Sequence, residues 1–428
     1  MENHELRLRA VGEMHLRRWP QLPVPCHVVQ WVLMLDDSDR EAEIEAIERR
    51  SDPQPNDNPS HREGRLSNKV RFAWERHSEG SSLTLFVKQC DEAGFLDPST
   101  DPEIASAIAW AEALPGKIVR STRVWLAAQD SDVETLLPQL NLNSDEMVSS
   151  MVGGTIRIWS DFRIKEDGFG KLLVAANGAD RRELTRKLQQ LQELGNYRNR
   201  ALLGLPMAKE CWPRLDDAEE RLRVLADRIA NAQERDDTLM DAMSQLGLDL
   251  ASIATAISFR MDATKAYAQL VDERLVQLDP APVPGFASLA DFTQRRFVPA
   301  MSTCLATTER VQRLGVRAEQ LASLLRARIE TRIENQNGQL LHSMERSIAM
   351  QVRLQTLVEG LSVVALSYYL IGLLAYLLGG IKQDLFGLDD KTVLGILIVP
   401  VVLAIWMTTR ALKNRLLGEV AEEGGKSG

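Results

Sequence analysis

No apolar stretch long enough to cross a bilayer occurs in the first 350 residues of this 428-residue chain. That absence confines any membrane role to the C-terminal end. The opening MENHELRLRA has no apolar core, which argues against an export signal. Cysteine is scarce. Cys26, Cys90, Cys211 and Cys304 are scattered without a CxxC, so paired-thiol zinc and redox motifs are excluded, and buried thiols in a reducing compartment are expected. Neither GxGxxG nor a P-loop is present. The net charge of −9 includes no basic footprint, which argues against nucleic acid as a partner.

What the chain does have is two apolar spans near its end. Leu361 to Ile381 is 21 residues without a charge, about 30 Å of helix and enough to cross a hydrocarbon core. Val393 to Thr409 is 17 uncharged residues, at the short end of the spanning range, with Pro400 inside it. The expected organisation is a first transmembrane helix over 356–381, an external loop over 382–392, a second helix over 393–410 and a basic tail over 411–428. Basic residues flank the pair: Arg346 and Arg353 before it, and Arg410, Lys413 and Arg415 after it. The loop holds Asp384, Asp389 and Asp390 against two lysines. The positive-inside bias then places both termini in the cytoplasm, in an inner membrane, with those five basic residues near anionic lipid heads.

The body divides by pattern. Residues 1–180 read as a cytosolic α/β sheet domain. Cys26 to Leu35 is a Val-rich run suited to a central strand covered on both faces. Asp36 to Arg50 reads as an exposed helix, and 51–65, dense in Pro and Asn, as a flexible loop. Val70 to Val87 predicts a hairpin, Ile104 to Leu114 a short helix, and Ile118 to Ala127 a further alternating segment. Gly154 to Trp159 and Lys171 to Ala175 predict a second hairpin about Asp167-Gly168. The sheet is expected to be mostly antiparallel or mixed.

Residues 181–355 read as a helical coiled-coil stalk with a break at 279–287. Leu184, Leu188, Leu191 and Leu194 form one stripe. Val311, Leu314, Ala318, Leu321 and Leu325 follow heptad spacing. Ile329, Ile333, Leu340, Met344 and Ile348 extend the seam, interrupted at Asn335-Gln336-Asn337-Gly338. Such a run packs either on the preceding helices or on copies of itself. The fold class is therefore α+β, with a sheet domain, a long stalk and a two-helix membrane hairpin.

Two sets of residues are candidates for function. Glu13, His15, Glu75, His77, Asp161 and Asp167 are types that bind metals or move protons. Ion pairs fixing strand ends explain them more simply. In the first span Ala365, Gly372, Ala375 and Gly379, with Tyr368 and Tyr376 beside them, form a small-residue face suited to helix packing or to lining a pore. No Asp, Glu, Lys, Arg or His lies inside either span, which argues against proton coupling.

Several strings carry a resemblance to a known family: Glu13-Met14-His15-Leu16-Arg17-Arg18-Trp19-Pro20, Phe72 to Glu79, Trp159 to Arg163, Tyr197-Arg198, Ala201 to Pro206, Arg295 to Ala300, and Glu359 to Tyr369. With these the chain resembles the DUF3422 family of bacterial membrane-anchored proteins, a resemblance that implies no activity. Gly195 and Asn196 depart from the acidic and polar or apolar residues it leads one to expect there. The domain order is also similar to CorA-type channels, whose Gly-Met-Asn is replaced here by Gly379-Gly380-Ile381-Lys382. The expectation is a non-enzymatic, membrane-anchored, self-associating protein with a sensory or structural body and no cofactor. The alternatives are a CorA-like channel, for which a divalent cation is relevant, and a membrane-tethered metal-dependent enzyme.

Overall fold

The computed structural model describes His4, Arg7 and residues 19–53, 60–231, 234–379 and 390–424. Two compact units divide the chain, Met1–Ser323 and Leu324–Gly428. In the first, strands β1 (Cys26–Met34), β2 (His61–Arg65), β3 (Val70–His77), β4 (Gly80–Lys88), β5 (Lys117–Ala127), β6 (Val148–Val152), β7 (Ile156–Ser160), β8 (Gly170–Ala175) and β9 (Ala281–Pro282) form one sheet. Its order is β2-β3-β4-β1-β5-β8-β7-β6-β9. Pairing is antiparallel except between β5 and β8, where Thr122 faces Gly170, so the expected mixed sheet is what forms.

Both faces of this sheet are covered. On one, Val29, Trp31, Leu33, Phe72, Trp74, Leu85, Trp125 and Leu173 pack with Ile47 of helix α1 (Asp37–Glu48), Ile104 and Ala107 of α2 (Pro102–Glu112) and Val133 of α3 (Asp130–Leu136). On the other, Val28, Val124, Leu126, Ile158, Leu172 and Val174 meet Leu184, Leu188, Leu191 and Leu194 of α4 (Arg181–Leu202). Tyr267, Val271 and Leu278 of α6 (Asp236–Leu278) join the same core. The alternation along β1 thus feeds two cores, which is why its run is continuously apolar.

Local signals account for the element ends. Asp180 caps α4 by accepting from the N–H groups of Arg182 and Glu183. Asp101 caps α2, and Pro102 opens it. Gly153 and Gly154, at φ of 59° and 85°, make the tight turn from β6 to β7. Between α4 and α5 (Gly204–Asn231) the chain turns at Leu203, and Gly204 lies against Thr264, where a Cβ would fall 2.3 Å from Oγ1.

Two sequence expectations change. The 51–65 loop contains strand β2, and Ser51 bridges to Gly64; residues 54–59 lie outside the described set. That strand lacks large apolar side chains because it is an edge held through its backbone to β3. The boundary at 180 dissolves, since α4 and α6 share a core with the sheet and the unit runs to Ser323. The start of the heptad run takes one of its two expected packings, on a preceding helix. Val311, Leu314 and Ala318 are buried, Arg310 pairs with Asp216 and Glu219 of α5 at 2.7 and 2.6 Å, and Trp212 Nε1 donates to Thr307 at 3.1 Å.

The second unit is helical. It holds the C-terminal part of α7 (Val298–Gly379) and α8 (Asp390–Gly424). The helix runs unbroken through Asn335-Gln336-Asn337-Gly338, the polar residues that interrupt the apolar seam. The expected basic tail is helical to Gly424, while residues 380–389 of the expected external loop lie outside the described set. By length and composition two helices could cross a membrane, Asp236–Leu278 and the run Leu289–Leu377; Gly395–Ala411 is a shorter apolar helix. The first of these buries Leu246, Leu250, Ile253, Ile257 and Val271, as a core helix does.

Candidate functional site

Glu13 and His15 fall outside the described residues. The other four members of the proposed His/acid cluster do not converge. Glu75 and His77 lie on β3, Asp161 follows β7, and Asp167 sits in the turn before β8. Strands β4, β1 and β5 stand between β3 and β8, a lateral distance of about 19 Å at one strand spacing per step. Among the described residues no group of three His, Cys, Asp or Glu is placed to hold a metal ion. Local partners account for each residue instead. Glu75 faces His61 across the ladder, His77 Nε2 lies 3.1 Å from Ser82 Oγ, and Asp161 accepts from the N–H groups of Asn143 and Arg163 and from Lys165.

Asp167 does join a buried polar group, on the α2 side of the sheet. Arg123 Nη1 donates to it at 3.0 Å, and Lys171 also pairs with it. Phe95 lies beside both cations and edge-on to the buried His27. Burial, with Arg123 adding to it, pushes Lys171 down to about 8. Burial and the two cations hold His27 well below the usual histidine range. Burial pushes Asp167 up, but the hydrogen bond and charge of Lys171 outweigh it, and the carboxyl ends below its ordinary value. One carboxylate here serves two cations.

The other face of the sheet holds a cavity of about 70 Å³ between β5, β8, the segment after β7 and α4. Its lining includes Arg120, Thr122, Ser160, Arg163, Arg198 and Asn199, and no carboxylate among the described residues. Arg120 Nη1 donates to three neutral oxygens, those of Gln30, Gln192 and Asn196, at 3.3, 2.8 and 2.7 Å. Burial pushes its pKa down to about 9, and Arg198 adds to this; burial alone pushes Arg198 down to about 10. The guanidinium of Arg198 lies 4.5 Å from the Phe162 ring and 5.2 Å from that of Phe292, and these two rings stack. Phe162 sits at φ +51°, a conformation that costs a bulky residue about 1–3 kcal/mol and that surrounding structure must impose.

Gly195 explains how Arg120 fits, since a Cβ there would lie 2.7 Å from the guanidinium carbon. Gly195 therefore makes room for Arg120, and Asn196 accepts a hydrogen bond from it. The sequence reading passed over this site. Its one signal is Arg198, which continues the buried stripe of Leu184, Leu188, Leu191 and Leu194 one step further, at i+4 from Leu194.

In the second unit the small-residue face forms no close helix contact at its centre among the described residues, because none of their atoms lies within 4 Å of a Cβ placed on Gly372. Ala365, Tyr368 and Tyr376 are exposed, Ala375 is half-buried, and the side chains that are covered follow Ser367 and its neighbours Val363, Ile371 and Leu374. Gly379 ends α7. Arg346 and Arg353 are exposed on α7, and Arg410 lies 4.9 Å over the ring of Trp406. Lys413 and Arg415 belong to α8, with side chains outside the described set.

No curated protein and no solved structure matches the chain, and the likeness to CorA-type channels finds no support. One family model does match, over residues 2–416. This chain belongs to that family, DUF3422, described as a protein of unknown function.

Proposed function

We propose that this protein is a membrane-anchored, self-associating body whose sheet-and-helix unit serves a sensory or structural role on the cytoplasmic side. One observation carries the membrane reading: large apolar side chains lie open around the charge-free end of α7. Leu361, Tyr368, Tyr369, Leu373, Tyr376 and Leu377 are 61–86% exposed. An apolar surface of this extent is stable in lipid and costly in water. Gly395–Ala411 supplies the second apolar helix of the hairpin, and the Trp406–Arg410 pair suits an interface where an aromatic ring meets anionic headgroups.

Self-association draws on a second surface. Ile333, Leu340, Met344 and Ile348 recur at spacings of 7, 4 and 4 and are each at least half exposed. A seam of that period on an otherwise polar helix is what a coiled-coil partner covers. A second copy of the chain is the partner we favour.

Membrane fractionation tests the anchor. The protein should remain in the pellet after an alkaline carbonate wash and need detergent for release. Recovery in the wash would remove the anchor reading. Subunit counting by mass in detergent tests self-association, and a monomer would end that part of the proposal.

A further inference from the structure

The cavity beside α4 contains cationic side chains that have no anion beside them among the described residues. Arg198 is 7% exposed, its Nη1 is buried without a hydrogen-bond partner among the described residues, and its plane is held by Phe162 and Phe292. Arg120 stands on the same cavity, held by three side-chain amide oxygens that carry no charge. Arg163, at the cavity wall, is already paired with Glu146 at 2.6 Å. Among the described residues the lining includes no carboxylate. Guanidinium groups stay charged in proteins, and a buried charge is tolerated when it is paired. Contrast the opposite face, where Arg123 and Lys171 do have Asp167.

The geometry points to a binding site for a small oxyanion, a phosphate or carboxylate group held by Arg198 and Arg120 with the hydroxyl of Thr122 and the amide of Asn199 available beside them. A guanidinium fork matches both kinds of group. A space of about 70 Å³ is several times the roughly 10–15 Å³ needed to admit one water, so it can admit a small group. Phe162 is set in its left-handed conformation next to Ser160, whose Oγ accepts from its N–H at 3.0 Å, so the ring that orients Arg198 is fixed before any ligand arrives. Gly195 leaves the room that Arg120 needs. The inference stands apart from the membrane reading, because every residue it uses lies in the first unit.

The test uses the full chain in detergent, at constant ionic strength with chloride as the balancing ion. Inorganic phosphate, glycerol 3-phosphate and acetate are titrated separately by calorimetry, and the thermal midpoint is followed in parallel. At least one of them should bind saturably and raise the midpoint, and which one does so identifies the group and whether a substituent is tolerated. Arg198→Met should weaken that binding by roughly thirtyfold or more, while its midpoint without the anion stays level or rises. Arg198→Lys, which keeps the charge but loses the fork, should retain part of the affinity. Absence of saturable binding by all three anions in the unaltered protein would overturn the inference. So would an Arg198→Met protein that binds as well as the parent. Should that variant not fold, protection of Arg198 from butanedione by the bound anion, mapped by peptide mass, decides the matter in the unaltered chain.

Discussion

Asp167 sets the charge balance on its side of the sheet, one carboxylate between Arg123 and Lys171. Asp167→Asn leaves two buried cations facing each other. We expect a loss of about 2 kcal/mol in urea unfolding, less than a fully buried pair because its side chain is 38% exposed. An unchanged midpoint would show that water screens the pair. The lysine makes a pH prediction. Its pKa falls from 10.5 to about 8 on folding, so within that window the unfolded chain binds the extra proton. This group's contribution to stability therefore rises with pH from about 8 to 10.5. Lys171→Met should lack that rise, read as the difference between the two proteins' midpoints across the window. Cys26 and Cys90, raised to about 12 and 11 by burial, tilt both proteins the other way and cancel in the difference. None of these residue roles was legible in the chain. Asp161 and Asp167 were singled out as acids, but their separate neighbours depend on loops that only the sheet brings together. Arg120 and Arg198 were passed over because 78 residues of sequence separate them.

At the scale of elements, stripes were read correctly and their partners were not. Leu184, Leu188, Leu191 and Leu194 are all buried, as their 3–4 spacing requires. The same kind of spacing continues through Leu340 and Met344, which are exposed within the chain. Substitution separates the two cases. Leu188→Ala should cost about 2–5 kcal/mol in unfolding, the price of a core cavity. Leu340→Ala should leave the unfolding of the first unit unchanged and shift the subunit distribution in detergent toward smaller species. If both substitutions lower the unfolding midpoint equally, the lower seam is packed within the chain. Strand β2 was hidden because an edge strand needs only backbone pairing, and His61 to Arg65 supply that without an apolar residue.

For the whole molecule, the charge-free end of α7 decides where the protein resides under the proposal above. Leu370→Arg at mid-span should raise the insertion free energy by about 3–4 kcal/mol and move a measurable share of the protein into the carbonate wash. A distribution identical to the parent's would show that this residue is not in hydrocarbon. The first unit should keep its unfolding midpoint in this variant, since its two cores lie within Met1–Ser323.

By itself the sequence determined the period of each segment. Alternation and Val-rich runs specified strands, 3–4 stripes specified helices, and the uncharged C-terminal spans specified where an apolar surface must lie. These are local properties, set by side-chain spacing along one backbone. Only the tertiary structure decided what each face meets. It placed α4 and α6 on the sheet rather than in a free stalk, and kept Glu75 and His77 away from Asp161 and Asp167. It also brought Arg120 and Arg198 to one cavity without a carboxylate among the described residues. Strand order and helix docking set those distances, and neither is encoded in the spacing of neighbouring residues.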